Sequence, residues 1–416
     1  MKNFSPKRYL TFVASLFALL VGALLLFNLV VDPYDIYRLI NLEDYGVIKN
    51  GKYDKARLAK AHAIASAAPT VIALGTSRTE WGVRMNHPVF ADRGGPSYNL
   101  GIPGGSVYEL QRYLEFAQTQ APLDTVVFGL DFFSFNERRI TDGSFSEQRL
   151  AGRLAIYREK IATVVSIDTF VDSVETIVDR SVWQNYNFDE RGQVSDASIL
   201  GKINRTSFFD TLWSNAWSFI RRTHPNSFAR FRISANEPPG GSLAAYRAIL
   251  RSCLANEVRL YLYISPTHAL KNLEIDSVGL WHVYEQWKRD LLRIYVEETA
   301  RAGKPLAPVW DFADVGTVNQ EPVPTRENKD YRMEFFWNGG HYNMELGDRM
   351  LSKLANCQTP AEGCNDDFGT PLTPDTLETS LARIRSRLKV YALEHPELVK
   401  ELNRFMRFAE QKAARR

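Results

Sequence analysis

The feature that most constrains this chain of 416 residues is an uncharged run close to its N-terminus, from about residue 9 to residue 31. A helix rises about 1.5 Å per residue, so such a run crosses the hydrocarbon core of a bilayer, which is about 30 Å thick. The run is too long for the apolar part of a typical signal peptide, and residues 28–33 contain no small-residue cleavage pattern. Residues 1–31 are therefore predicted to contain a single transmembrane anchor.

Basic residues beside this run predict its orientation. Lys2, Lys7 and Arg8 precede it, and positive residues favour the cytoplasmic side of a membrane. We therefore expect a cytoplasmic N-terminus, with everything after Val31 on the other side of the membrane.

The cysteines agree with an oxidising compartment on that side. Cys357 and Cys364 flank a short polar loop with Pro and Gly, so they are candidates for a disulfide. Cys253 lies in a largely apolar helical context and is predicted to be a buried free thiol. The net charge of +3 gives no argument for nucleic acid as a partner, and no Cys/His spacing matches a zinc site.

Beyond residue 69, short apolar segments of strand type alternate with amphipathic helices. This alternation predicts an α/β fold, a three-layer αβα sandwich with a central parallel sheet. Residues 32–69 are predicted as a juxtamembrane segment, 70–370 as the α/β domain and 371–416 as a charged helical tail. Residues 137–240 interrupt the alternation and are predicted as a helical insertion, which would act as a lid.

Residues 71–80 are typical of a buried strand that stops at Gly75 and presents Ser77 where a helix begins. Serine at a helix start often caps the helix. The same position suits a nucleophile, because free N–H groups and the helix dipole favour an oxyanion there. Open α/β sheets also place their sites beyond the carboxyl ends of their strands. Both functions of Ser77 are open at this point.

Polar residues follow other predicted strands: Asn99, Gly101, Asp131, His268 and Asp311. His341 precedes the last helix of the domain and is the natural base for a serine nucleophile. Its alternative is a polar residue at a helix start without chemistry.

An acyl-transfer site also needs hydrogen-bond donors for the oxyanion. The candidate donors are the N–H groups of Ser77 and Gly101 and the side chain of Asn99 or Asn136.

Four segments together resemble the blocks of the SGNH (GDSL-type) hydrolase family. Gly75-Thr76-Ser77-Arg78 resembles the first block, with Ser77 as nucleophile, and residues 99–104 resemble the second, whose glycine is Gly101. Residues 129–131 stand where the third block lies, and residues 338–341 where the fifth has Asp-x-x-His. The resemblance implies an SGNH or flavodoxin-like sandwich and serine ester chemistry without a cofactor or metal.

Two positions depart from the family pattern. Asp131 stands where the family has an oxyanion asparagine, and an ionised carboxylate would repel an oxyanion. The Asp131 side chain must therefore point away from the oxyanion, hold Arg78 or another cation, or be protonated. Asn338 stands where the family has the acid that orients the histidine.

The orienting group is therefore open. It is Asp311, Asp330, Glu334 or Asn338, or a backbone carbonyl in a Ser–His dyad. For His268 two functions are open, a supporting polar residue at a strand end or a substrate contact.

A single-span protein with such a domain outside the cytoplasm resembles the proteins of bacterial polysaccharide O-acylation. The resemblance implies an inner-membrane protein with a periplasmic domain that moves an acyl group, with acetyl expected, to a glycan. It also implies a multi-span membrane acyltransferase as partner and acyl donor. An aromatic part of the insertion (Trp183, Tyr186, Phe188) is expected to exclude water. The alternatives are an esterase with the same Ser–His chemistry and a non-catalytic scaffold.

Overall fold

A computed structural model describes most of the chain: residues 5–40, 49, 51–91, 95–138, 141–178, 187–224, 231–234, 236–238, 240–357, 364 and 366–414. Its strands are β1 (Val71–Thr76), β2 (Ser97–Ile102), β3 (Thr125–Leu130), β4 (Arg259–Ile264), β5 (Val309–Asp311), β6 (Phe336–Asn338), β7 (His341–Tyr342) and β8 (Thr370–Leu372). The helices before the insertion are α1 (Pro6–Val31), α2 (Gly51–Asp54), α3 (Ala56–Ala67), α4 (Ser77–Gly82), α5 (Pro88–Ala91) and α6 (Val107–Gln120).

The remaining helices belong to the insertion, the second half of the domain and the tail. They are α7 (Arg153–Val165), α8 (Ile167–Val178), α9 (Asp196–Ile203), α10 (Phe208–Thr223), α11 (Ser242–Ala255), α12 (Ala269–Ser277), α13 (Trp281–Ala302), α14 (Met344–Asn356), α15 (Leu377–Glu394) and α16 (Pro396–Ala414).

The central sheet has the strand order β2-β1-β3-β4-β5-β8. The first five strands are parallel to one another, and helices cover both sides of the sheet, as an α/β fold requires. β1 and β3 are buried along their whole length, which explains why their sequences are continuously apolar rather than alternating.

The sixth strand differs from the predicted all-parallel sheet, because β8 runs antiparallel to β5. β8 has three residues, and Pro371 lies at its centre. Proline in a sheet is tolerated at an edge, where its missing N–H needs no partner. A segment so short and so poor in strand signals is not recognisable from its sequence.

The order of the strands determines where a site can form. After β1 the chain adds β2 on one side of it and then β3 on its other side. The direction in which strands are added to the sheet therefore reverses between β1 and β3. Doubly wound sheets have a crevice at this switch point, outside the carboxyl ends of the two strands. Ser77 follows β1 and Asp131 follows β3, so both lie at the crevice.

α1 is the one helix, within the described part of the chain, that is long and apolar enough to span a membrane. Its side chains up to residue 23 are exposed, whereas Asn28 and Val31 are buried. Its last turns pack against α7 and α8 of the insertion.

The predicted helical tail consists of two helices, α15 and α16, which meet at His395 and Pro396. Its charged residues face water, and its apolar stripe is part of the main core through Leu381, Leu388 and Leu402. The tail is thus packed on the domain.

Candidate active site

Ser77 is the first residue of α4, directly after β1. The capping position belongs to its neighbour: the Thr76 hydroxyl accepts a hydrogen bond from the Arg78 N–H at 3.3 Å. Capping of the helix by Ser77, the alternative to a nucleophile, therefore does not agree with the structure.

Glycines allow α4 to lie unusually close to the sheet. A Cβ atom on Gly101 would lie 2.5 Å from the Glu80 nitrogen, and one on Gly75 would lie 2.0 Å from the Thr79 hydroxyl oxygen. Such distances are shorter than van der Waals contact, so only glycine fits. The close packing holds the first turn of α4, and with it Ser77, in one position.

A buried ion pair also ties α4 to its surroundings. Lys60 of α3 lies 2.8 Å from the Glu80 carboxylate, and both side chains are buried. The same ammonium donates to the Gly101 carbonyl at 2.6 Å.

The central contact of the site joins Ser77 and His341. The Ser77 Oγ lies 2.9 Å from the His341 Nε2, although 264 positions separate the two residues. His341 begins β7, in a hairpin with β6 whose turn is Gly339-Gly340. A serine within hydrogen-bond reach of an imidazole is the arrangement that nucleophilic catalysis requires.

Asn338 determines which nitrogen of His341 carries the proton. Its Oδ1 accepts the backbone N–H groups of Gly340, at 3.0 Å, and His341, at 3.2 Å. The atom that faces two N–H donors must be the amide oxygen. The same Oδ1 lies 3.0 Å from His341 Nδ1, so Nδ1 donates. Nε2 is then the free acceptor, and the Ser77 hydroxyl donates to it.

The surroundings of His341 keep it neutral. The ring of Trp81 stacks on the imidazole, with centroids 4.3 Å apart. Withdrawal from water, and then the charges of Arg78 and Lys271, lower the pKa of His341 to about 3. The imidazole is therefore unprotonated at neutral pH and can accept the serine proton.

The first candidate for orienting His341, Asp311, is not placed to do so. The buried Asp311 carboxylate binds Lys288 of α13 at 2.5 Å and accepts the Ala313 N–H at 3.0 Å. Asp330 and Glu334 are exposed. Asn338, the remaining side-chain candidate, makes the hydrogen bond.

The predicted donors Gly101 and Asn99 are occupied. The Gly101 N–H donates to the Asn99 Oδ1 at 2.9 Å, and the Asn99 amide donates to the carbonyls of Thr79 and Val83, each at 2.9 Å. An oxyanion role for these two residues therefore conflicts with the structure. They hold α4 against β2.

Asp131 takes one of the three arrangements expected for it, because it holds Arg78. The Arg78 guanidinium lies 3.5 Å from the Asp131 carboxylate and donates to the Thr267 hydroxyl at 3.0 Å. The Thr76 hydroxyl donates to the other carboxylate oxygen of Asp131 at 2.5 Å. The negative charge of this buried side chain is thus balanced within the site.

Of the two other predicted residues, Asn136 lies at the cleft and His268 does not. Asn136 lines the cavity, and its Oδ1 accepts the N–H groups of Arg138 and Arg232. His268 is fully buried and caps α12 by accepting the Leu270 N–H, while its Nε2 donates to the Glu321 carbonyl at 2.8 Å. Its role is structural, and burial lowers its pKa to about 4.

Ser77 and His341 open onto a cavity of about 230 Å³. The β-strand ends contribute Arg78, Asp131 and Ser134, and the insertion contributes Asn215, Phe219, Arg222 and Thr223. The insertion therefore forms one wall of the cleft. The sequence predicted a lid in this insertion but not the residues that line the cavity, since helix α10 has no motif that distinguishes lining residues from core.

A second residue missed by the sequence analysis is Lys271. It lies on the first turn of α12, forms a buried ion pair with Glu274 and lines the cavity. Its position soon after the end of β4 is the one signal that pointed to it. Arg78, Arg222 and Lys271 bring three cationic side chains to the cavity, of which Arg78 is paired with Asp131 and Lys271 with Glu274.

The aromatic residues expected to exclude water do not contribute as predicted. Trp183 and Tyr186 lie outside the described residues. Phe188 is buried in a small core, beneath the ammonium groups of Lys52 and Lys60, each 4.9 Å from its ring centroid. It therefore cannot form an acceptor surface.

Cys357 and Cys364 form a disulfide, and Cys253 is a buried free thiol. Burial raises the pKa of Cys253 to about 12, so it is unreactive. Among the residues that the structure describes, no group of three His, Cys, Asp or Glu side chains could hold a metal ion.

No protein-family model matches the chain, and no curated protein is significantly similar to it. The resemblance to the SGNH family therefore depends on the four short blocks and stays a prediction. The geometry by itself describes a neutral histidine, oriented by an amide, beside a serine at the mouth of a cationic cavity.

Proposed function

We propose that the protein is a membrane-anchored, SGNH-like serine O-acyltransferase that moves an acyl group, with acetyl expected, to a cell-envelope or exported glycan. α1 spans the bacterial inner membrane with its N-terminus in the cytoplasm, and the α/β domain lies in the periplasm. The observation that carries the proposal is the hydrogen-bond relay from Ser77 through His341 to Asn338.

The first half of the reaction forms the acyl-enzyme. Ser77 Oγ attacks the carbonyl carbon of the acyl donor while its proton passes to His341 Nε2. The tetrahedral intermediate collapses, the bond to the leaving oxygen breaks, and His341 returns the proton to that oxygen. Asn338 keeps the Nδ1 proton in place, so Nε2 alone exchanges protons.

The second half transfers the acyl group. A sugar hydroxyl gives its proton to His341 Nε2 and attacks the acyl carbon, and the bond to Ser77 Oγ then breaks. The serine recovers the proton from His341, so the enzyme returns to its starting state. If water replaces the sugar, the same steps hydrolyse the ester.

The cations near His341 compensate for its weak basicity by stabilising the oxyanion. A histidine without a carboxylate partner is poorly stabilised as imidazolium, and the nearby cations disfavour it further. The same cations favour the oxyanion that forms on the substrate. Because Gly101 and Asn99 are occupied, we assign oxyanion stabilisation to the Ser77 N–H at the start of α4 and to the guanidinium of Arg78.

In this proposal the acyl donor and the acceptor are separate molecules. We propose a multi-span membrane acyltransferase as donor, because the anchor places the domain beside the membrane. The acceptor glycan would enter the cleft beneath α10, whose Phe219 and Asn215 offer an apolar surface and a polar group to a sugar ring.

The test is the acyl content of envelope glycans in cells that carry Ser77→Ala at its native level. We expect acylation to fall to that of a deletion strain. Ser214→Ala is the matched control, because Ser214 is an exposed serine of α10 outside the cavity. Unchanged acylation in Ser77→Ala overturns the transferase, whereas a rise in acyl content identifies an esterase.

A non-catalytic scaffold is the second candidate, and one observation favours it. Asn338 stands in the place of an acid, and the Gly101 N–H is already bonded. For a scaffold, deletion of the protein abolishes acylation while Ser77→Ala leaves it intact.

A further inference from the structure

Helix α7 of the insertion exposes an apolar face. Four of its side chains, each more than half exposed, are Leu154, Tyr157, Ile161 and Val165. Their spacing of three or four residues places them on one side of the helix.

Helix α8 continues this face after Ser166. Its exposed side chains are Ile167, Val171, Val174 and Val178, again at helical spacing, and the most exposed of them reaches 76%. The residues that α8 buries are small and polar: Thr169, Ser173 and Thr176. The helix therefore exposes an apolar stripe, with Asp168 and Glu175 also exposed beside it, and buries small polar side chains.

Such a surface is unusual for a domain in water. Single exposed apolar residues are common, but contiguous apolar patches mark places where another phase or molecule is bound. The two consecutive helices together expose eight apolar side chains, which we call the α7–α8 face.

The corner between α7 and α8 is attached to the end of α1. The Asn28 amide donates to the carbonyls of Val164, at 2.9 Å, and Ser166, at 3.1 Å, so it binds the corner between the two helices. The rings of Phe27 and Phe170 lie 5.5 Å apart. The corner therefore packs beside the last turns of α1.

The segment that follows α1 strengthens this attachment. The Tyr34 hydroxyl donates to the Asp172 carboxylate of α8. The Tyr37 hydroxyl donates to the Lys160 carbonyl of α7 and lies 2.7 Å from the Thr163 hydroxyl. Helices α7 and α8, which we call the α7–α8 pair, thus form one packed unit with the end of α1.

The length of α1 determines the depth at which this packed unit lies relative to the membrane. From Tyr9 to Asn28 the helix covers about 30 Å at about 1.5 Å per residue, which equals the thickness of a hydrocarbon core. Asn28, where the α7–α8 corner binds, consequently lies at the boundary between acyl chains and headgroups.

We propose that the α7–α8 face lies in the interfacial layer of the membrane that α1 spans, with its apolar side chains against the lipid acyl chains. The chemistry fits an interfacial amphipathic helix pair, since Arg153 and Arg158 of α7 can extend to headgroup phosphates. This inference rests on the proposed membrane placement of α1, and it is independent of the chemistry at Ser77.

The test uses the full-length protein in vesicles of phosphatidylethanolamine and phosphatidylglycerol, with one introduced cysteine carrying an environment-sensitive fluorophore. The positions on the face are Val165→Cys and Val174→Cys. We expect blue-shifted emission, quenching by lipids with a spin label on the acyl chain, and iodide quenching several-fold weaker than at Leu393→Cys. Leu393 is an apolar residue on α15 that is 82% exposed, against 56% for Val165 and 38% for Val174.

A label at Leu16→Cys in α1 separates this inference from the anchor. If Leu16 is quenched by the spin-labelled lipid while Val165 and Val174 behave like Leu393, the anchor stands and the inference is wrong. If labels on α1, α7 and α8 all fail to meet lipid, the anchor and the inference are both wrong. If the labels at Val165 and Val174 are protected from iodide but insensitive to the lipid quencher, protein covers the α7–α8 face, which also overturns the inference.

Discussion

At the residue scale, Asn338 determines how strong a base His341 can be. An amide oxygen fixes the Nδ1 proton through a 3.0 Å hydrogen bond but adds no negative charge. Burial, and then the charges of Arg78 and Lys271, lower the pKa of His341 to about 3. In the proposed mechanism the histidine is therefore a weak base, and the cations beside it contribute by stabilising the oxyanion.

This arrangement predicts an unusual pH dependence. A base must be unprotonated to work, so activity falls only when the pH drops through its pKa. We expect ester cleavage by the wild type to stay level well below pH 6.5, the ordinary pKa of histidine. In Asn338→Asp the carboxylate favours the imidazolium, so the acid limb moves to higher pH by about 1–3 units. The measurement is the pH profile of kcat/KM on an activated ester.

Asn338→Ala is the control for this profile. It removes the group that holds the Nδ1 proton, so we expect a loss of about 10²- to 10⁴-fold in kcat without an upward shift of the acid limb. A wild-type acid limb near pH 6.5, or an unmoved limb in Asn338→Asp, contradicts the account of His341.

Arg78 and Asp131 form the second residue-scale prediction. Arg78→Ala leaves a buried carboxylate uncompensated beside the reacting carbonyl, and we expect a loss of about 10²- to 10³-fold in kcat/KM. Asp131→Asn removes that negative charge, so the double variant should recover part of the loss. A double-mutant cycle measures the coupling. Strictly additive effects would show that the 3.5 Å ion pair plays no part in the reaction.

At the scale of elements, the position of Ser77 depends on how closely α4 packs on β2. Gly101→Ala would place a Cβ 2.5 Å from the Glu80 backbone nitrogen, so the helix must shift. We expect a cost of about 1–3 kcal/mol in the free energy of unfolding, together with loss of Ser77 reactivity. Urea unfolding in detergent measures the first, and ester cleavage measures the second.

Gly143→Ala is the matched control, because no atom lies within 4 Å of its Cβ position. It should leave both properties unchanged. If Gly101→Ala is as stable and active as Gly143→Ala, the close contact between α4 and β2 does not position the serine.

The elements themselves were largely predictable, and their partners were not. Apolar runs and helical spacing predicted the alternation of strands and helices beyond residue 69, because burial on both faces leaves a clear pattern. The Gly101 N–H was expected to face an oxyanion, but a side chain two residues away takes it. Asp311 was expected near His341, but a lysine on α13 holds it. Spacing along the chain does not specify which of several polar groups a buried atom meets.

At the scale of the whole molecule, we propose that the α/β domain lies outside the cytoplasm. The disulfide Cys357–Cys364 gives a direct readout, because disulfides persist in oxidising compartments. We expect protein taken from cells and denatured without reductant to be alkylated only at Cys253, and at all three cysteines after reduction. The mass of the alkylated protein measures this.

Three alkylated cysteines before reduction would place the domain in a reducing compartment and reverse the proposed orientation of α1. A Cys357→Ser/Cys364→Ser variant supplies the mass of a chain with one thiol, so the two states are distinguishable in one spectrum.

The central claim is that Ser77 is a nucleophile activated by His341, and reaction with a fluorophosphonate tests it most directly. The account predicts a single phosphonylated residue in the full-length protein, identified by peptide mass as Ser77. Labelling should be lost in Ser77→Ala and strongly slowed in His341→Ala. A wild-type protein that takes up no label, or takes it up equally without His341, would contradict the claim.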